Sequence, residues 1–125
     1  MRSDFRRIFL TTLAAIAFSA SAVAGLKTSL DVVISDTYTF AYGDVGHVHN
    51  TSDRQQDIEC QFSGSSGYCY AHDLNGVFRS CYTADARWIR TMAAIKSDSY
   101  LVFYWDAAGN CTYIAVQNDS MREPR

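Results

Sequence analysis

The sequence predicts a small, β-rich α+β domain: an antiparallel sheet or sandwich with one late helix and two disulfides. Three observations predict it. Short runs of alternating apolar and polar residues recur along most of the chain. One stretch near residue 90 changes to a helical period. Four cysteines, an even number, all fall after residue 24.

The elements follow in chain order. Arg2, Arg6 and Arg7 form a basic start, Ile8 to Phe18 an uncharged apolar run, and Ala22-Val23-Ala24 a small-x-small cleavage signal. That order is the grammar of a secretory signal peptide, so residues 1 to 24 are expected to be cut away before Gly25. The apolar run is far short of the roughly 20 residues a bilayer span needs. No later stretch is long and apolar enough to span. Arg6-Arg7-Ile8-Phe9-Leu10 also fits a twin-arginine signal, which carries proteins already folded in a reducing compartment; the cysteines favour the general secretory route. The expected destination is the periplasm or the exterior.

Removing residues 1 to 24 takes Arg2, Arg6 and Arg7 from the 11 Lys+Arg and Asp4 from the 13 Asp+Glu, leaving 8 and 12 and a net charge of −4. No basic stripe remains, so nucleic acid and anionic membrane surfaces are poor partners. About 100 residues support one thin core, and residues 25 to 125 read as a single domain.

Leu30, Val32 and Ile34 alternate as a first strand, with a break at Ser35-Asp36-Thr37. Tyr38, Phe40 and Tyr42 form a second. Gly43-Asp44 reads as a turn and Val45 to His49 as a weaker third strand. Asn50 to Gln56 is a polar loop. Asp57 to Ser63 is the clearest strand, with Ile58, Cys60 and Phe62 inward and Asp57, Glu59 and Gln61 towards water. After Gly64-Ser65-Ser66-Gly67, two strands flank Leu74-Asn75-Gly76. This is a three-residue hairpin loop with glycine in the left-handed position. Trp88, Ile89, Met92 and Ile95 share one helical face, so a helix is expected near 84 to 96 with Thr83 as N-cap. Tyr100 to Trp105 and Cys111 to Gln117 form a last hairpin around Ala107-Ala108-Gly109, with Trp105 opposite Cys111. The tail from Asn118 reads as polar and loose.

The cysteine intervals of 9, 12 and 30 do not resemble the close pairs of zinc sites. Two structural disulfides are therefore expected. Four cysteines allow three pairings. The three-residue hairpin loop sets Cys69 directly opposite Cys81, which favours Cys69–Cys81 and leaves Cys60–Cys111. A two-residue Asn75-Gly76 loop would instead set Cys69 opposite Tyr82.

Chemistry-bearing residues are few. On a strand, His47 and His49 would share a face and could bind zinc or copper, with His72 or Asp44 as third ligand. No nucleophile elbow is present, and oxidised cysteines are not nucleophiles. Asp57 and Glu59 are accounted for as the wet side of a strand. No cofactor motif is found. Three Asn-x-Ser/Thr matches are treated as chance, because the leader reads as bacterial. Tyrosine is the positive anomaly: Tyr68, Tyr70, Tyr100 and Tyr104 alternate on strands, and exposed tyrosines suit protein or sugar binding.

From about Val48 to Pro124 the chain resembles a group of small, uncharacterised exported bacterial proteins with a four-cysteine framework. The likeness rests on Asp57-Ile58-Glu59-Cys60, Cys69-Tyr70-Ala71-His72-Asp73, Asn75-Gly76, Ser80-Cys81, Ser97-Asp98-Ser99-Tyr100 and Gly109-Asn110-Cys111. It implies export and a shared disulfide framework, and no activity. The expected function is an exported binding or interaction module without catalysis, its partner a protein or glycan of the envelope or exterior. The alternative is a small metal-dependent or hydrolytic enzyme using His47 and His49.

Overall fold

The computed structural model describes residues 27–122. The expected leader and its cleavage point lie outside them. Seven strands and two helices follow in order: β1 (Val33–Ser35), β2 (Phe40–Asp44), α1 (Val45–Asn50), β3 (Asp57–Phe62), β4 (Gly67–His72), β5 (Phe78–Thr83), α2 (Ala86–Met92), β6 (Ser99–Trp105) and β7 (Cys111–Asn118). They form two antiparallel sheets, one ordered β1-β2-β6-β7 and one β3-β4-β5. The chain leaves the first sheet after β2, builds the second as a meander, and returns through α2 to lay β6 beside β2.

Alternation explains the core. Ala41, Leu101, Phe103 and Ile114 point inward from the larger sheet. They meet Ile58, Cys69, Ala71 and Cys81 from the smaller one in a single buried cluster. The two sheets approach closely at Gly43, where a side chain would sit 3.4 Å from the Ile58 methyl. Among the described residues no helix is long and apolar enough to cross a membrane.

Both hairpins turn as the sequence predicts. Gly76 (φ 78°) and Gly109 (φ 84°) occupy the left-handed position. Each loop follows an aspartate. The Asp73 carboxylate accepts from the amides of Asn75 and Val77, and the Asp106 carboxylate from those of Ala108 and Asn110. The short polar side chain replaces the backbone partners that the loop amides lack. Trp105 stands opposite Cys111 as expected, just past a β-bulge.

Four expectations are corrected. Residues 45 to 49 are not a strand: they form α1, because Val45 and Val48 are both buried, a spacing of three that a strand would send to opposite faces. Gly43-Asp44 is accordingly the end of β2. The late helix is shorter than expected, and its N-cap is Asp85, whose side chain accepts from the Arg87 amide, while Thr83 accepts from the Asp85 amide. Of the expected loose tail, residues 119–122 are tied down: Thr28 and Arg122 form a bridge, and Arg122 pairs with the buried Asp44.

The last correction is the disulfide pairing. Cys69 does lie opposite Cys81, but the bonds are Cys60–Cys69 and Cys81–Cys111. The hairpin explains why. The Asp73 amide donates to the Val77 carbonyl. Counting back by alternation makes Cys69–Cys81 a hydrogen-bonded pair, whose Cα atoms stand about 5.5 Å apart. The other side of Cys69 is then the closer, non-hydrogen-bonded side, and Cys60 occupies it, with Cα atoms 4.0 Å apart. Cys81 is left to Cys111, which is brought near because the Tyr82 amide donates to the Gly109 carbonyl. This second disulfide joins the two sheets. Together the disulfides indicate an oxidising, non-cytoplasmic setting.

Candidate functional site

The four predicted tyrosines do not form one site. Tyr68 and Tyr70 point outward from the smaller sheet, Tyr100 and Tyr104 from the larger. Each pair acquires neighbours that sequence spacing does not reveal.

On the smaller sheet, register sets Gln61, Tyr68 and Tyr82 in one row, Glu59, Tyr70 and Ser80 in the next, and Asp57, His72 and Phe78 in the third. The Tyr70 hydroxyl donates to Glu59 at 2.5 Å, and the Tyr68 hydroxyl to Gln61 at 2.6 Å. Partial burial and the carboxylates of Glu59 and Asp57 push the Tyr70 phenol well above its ordinary value of 10. The Tyr68 and Tyr70 hydroxyls are therefore engaged within the sheet.

On the larger sheet the rings are more numerous. β2, β6 and β7 place Phe40, Tyr104 and Tyr113 side by side in one row. Tyr38 extends the row at one end and Trp88 of α2 at the other. Successive ring centroids, from Tyr38 to Trp88, lie 6.5, 5.5, 5.7 and 5.6 Å apart. Tyr42 stacks on Phe40 and meets Tyr100, so seven rings are continuous across the outer face. Tyr38 is 72% exposed and Tyr113 48%. Arg87 covers Trp88 and Arg122 covers Tyr100, at 4.2 and 4.7 Å from the ring centroids. Tyr38, Phe40, Tyr42, Trp88 and Tyr113 escape selection by sequence because their adjacency is a matter of cross-strand register.

The histidines separate. On helix α1, residues two apart do not share a face. His47 turns towards Asp31, with Nε2 and Oδ1 3.0 Å apart. His49 instead lines a cleft of about 610 Å³ that also receives His72. Asp44, the other suggested ligand, is fully buried and bound to Arg122. Among the described residues no group of three or more His, Cys, Asp or Glu is arranged to hold a metal ion. The cleft has an apolar floor of Val45, Val48 and Ile58, and Arg54 stands at its rim.

No protein family, no curated protein and no solved structure matches this chain.

Proposed function

We propose that the protein is an exported binding module of the periplasm or exterior that docks a partner on the outer aromatic face of its larger sheet and catalyses no reaction. The observation that carries this reading is the continuous run of seven rings from Tyr38 to Trp88. A folded domain of this size has a core in which to bury aromatics, and here they line an outer face. Large exposed apolar patches on soluble domains mark interaction surfaces. Tyrosine and tryptophan supply contact area with few rotatable bonds and a polar tip. Adjacent rings such as Tyr104 and Tyr113 meet at 82°, so the face offers edges and ring faces together rather than a flat platform. That relief suits a protein surface better than the plane of a sugar.

The test is a triple variant, Tyr38→Ser/Tyr104→Ser/Tyr113→Ser, compared with the parent protein for capture of envelope components and on a glycan array. All three side chains are more than a third exposed, so the fold should persist by circular dichroism. Capture is expected to be lost with the fold intact. Equal capture by the two proteins would refute the reading, and array binding abolished by the same changes would move the partner from protein to glycan.

A further inference from the structure

The cleft beside α1 is separate from the aromatic face of the larger sheet. It is bounded by α1, the loop that follows it, the start of β3 and the end of β4. Val45, Val48 and Ile58 close its floor, each at most 5% exposed. Its rim carries one guanidinium and two imidazoles against one carboxylate, that of Asp57. Arg54, His49 and His72 all border it, and each presents N–H groups.

Among the described residues, neither the Arg54 guanidinium nor the His49 imidazole has a hydrogen-bond or ion-pair partner. Arg54 also holds φ at 59°, a conformation that side-chain-bearing residues adopt at a cost. The loop enforces it. The Asp53 carboxylate accepts from the amides of Gln55 and Gln56 and from the Gln56 side chain. Gln56 in turn anchors the loop to the Val32 amide and to Asp31. The neighbouring carboxylate is thus consumed within the loop, while the guanidinium is left at the mouth of the cleft. Asp57 also lines the cleft, and its carboxylate lies near the Tyr70 phenol, whose proton is donated to Glu59.

We propose that this cleft binds an organic anion: a carboxylate or phosphate group carried on a small apolar body. Arg54, His49 and His72 receive the anionic group, and Val45, Val48 and Ile58 receive the body. Guanidinium and imidazole donors match carboxylate and phosphate oxygens. The apolar floor favours a substituted anion over a bare inorganic one, because only the former buries apolar surface.

Isotope-edited NMR of the purified, oxidised protein tests this with benzoate, phenyl phosphate, inorganic phosphate and benzylamine as probes. Benzoate or phenyl phosphate should shift the ring signals of His49 and His72 and the amides of Val45 and Val48, leaving the His47 ring in place. The relative response of the two tells a carboxylate site from a phosphate site. Inorganic phosphate should bind more weakly, and benzylamine not at all. Arg54→Gln should weaken binding about tenfold, the worth of one charge-assisted hydrogen bond, without lowering the melting temperature. Asp57→Asn should tighten it by about threefold, because a like charge near the anion is removed. That last sign separates an anion site from a metal site, where losing a carboxylate weakens binding. The proposal is overturned by unmoved His49 and His72 signals at high probe concentration, by equal affinity in Arg54→Gln, or by weaker binding in Asp57→Asn.

Discussion

Asp44 is fully buried, so its charge depends on a partner. Arg122 supplies it: the guanidinium donates to one carboxylate oxygen at 2.5 Å, and the Leu30 amide donates to the other at 2.9 Å. The arginine side chain is itself only 9% exposed and lies over the Tyr100 ring. Removing one member of a buried pair leaves the other uncompensated, which typically costs about 3–5 kcal/mol. Arg122→Met should therefore destabilise the fold by about that much in urea denaturation. The double change Arg122→Met/Asp44→Asn should recover a large part of the loss, since no bare charge then remains inside. A loss below about 1 kcal/mol in Arg122→Met would mean that water reaches Asp44. Smaller effects belong to the turns. Asp73→Ala frees two loop amides and should cost about 1 kcal/mol, the usual worth of a capping side chain.

At the scale of elements, the decisive feature is a row of three cysteines across β3, β4 and β5 with a fourth arriving from β7. Proteolytic mapping of the unreduced protein should recover the 60–69 and 81–111 linkages; a 69–81 peptide would contradict the register argument. By loop length, removing Cys60–Cys69 should cost about 2.5 kcal/mol and removing Cys81–Cys111 about 3.5 kcal/mol. The second should also loosen one sheet from the other, visible as faster amide exchange along β5 and β7. The same row shows what sequence can and cannot express. The hairpins were legible because Asp73, Gly76, Asp106 and Gly109 are local turn chemistry. The opposition of Cys69 and Cys81 followed from the turn. The bond did not, because Cys69 has a neighbour on each side and only the ladder decides which is closer. Helix α1 was illegible because six residues are too short a run to establish a period, and one pair of valines three apart is a weak signal. The tyrosines of β4 and β6 were legible as strand alternation. The ring row was not, since it joins Tyr38, Tyr104 and Tyr113, which only the sheet order makes neighbours. Arg54 gave no signal at all within a polar loop.

For the molecule as a whole, carboxylates set the response to acid. Asp31 is held below the ordinary value of 3.8 by the Gln56 side chain and by His47. Asp36 is lowered by its hydrogen bonds with Arg79, Asp53 by the Gln56 amide and side chain, and Asp106 by the Asn110 amide and side chain. All four move in one direction. A carboxylate whose value falls on folding stabilises the native state once the unfolded chain is ionised, so these contributions are complete above about pH 4. As pH drops below that, the unfolded chain binds protons first and stability declines through the lower folded values. Tyr70 acts at the other end. Its phenol is raised on folding, so stability is complete below about pH 10 and declines above it, where the unfolded chain loses its proton first. The melting temperature should thus fall below about pH 4 and again above about pH 10. Asp106→Asn should shallow the acid limb, because the amide keeps an acceptor for the Ala108 and Asn110 amides and carries no charge to titrate. Asp31 and Asp36 are both exposed, so salt should flatten that limb by weakening their pairing with His47 and Arg79. Asp106 and Asp53 should respond less, since backbone amides rather than side-chain cations hold them. An acid limb unchanged in both Asp106→Asn and high salt would assign acid unfolding to carboxylates other than these.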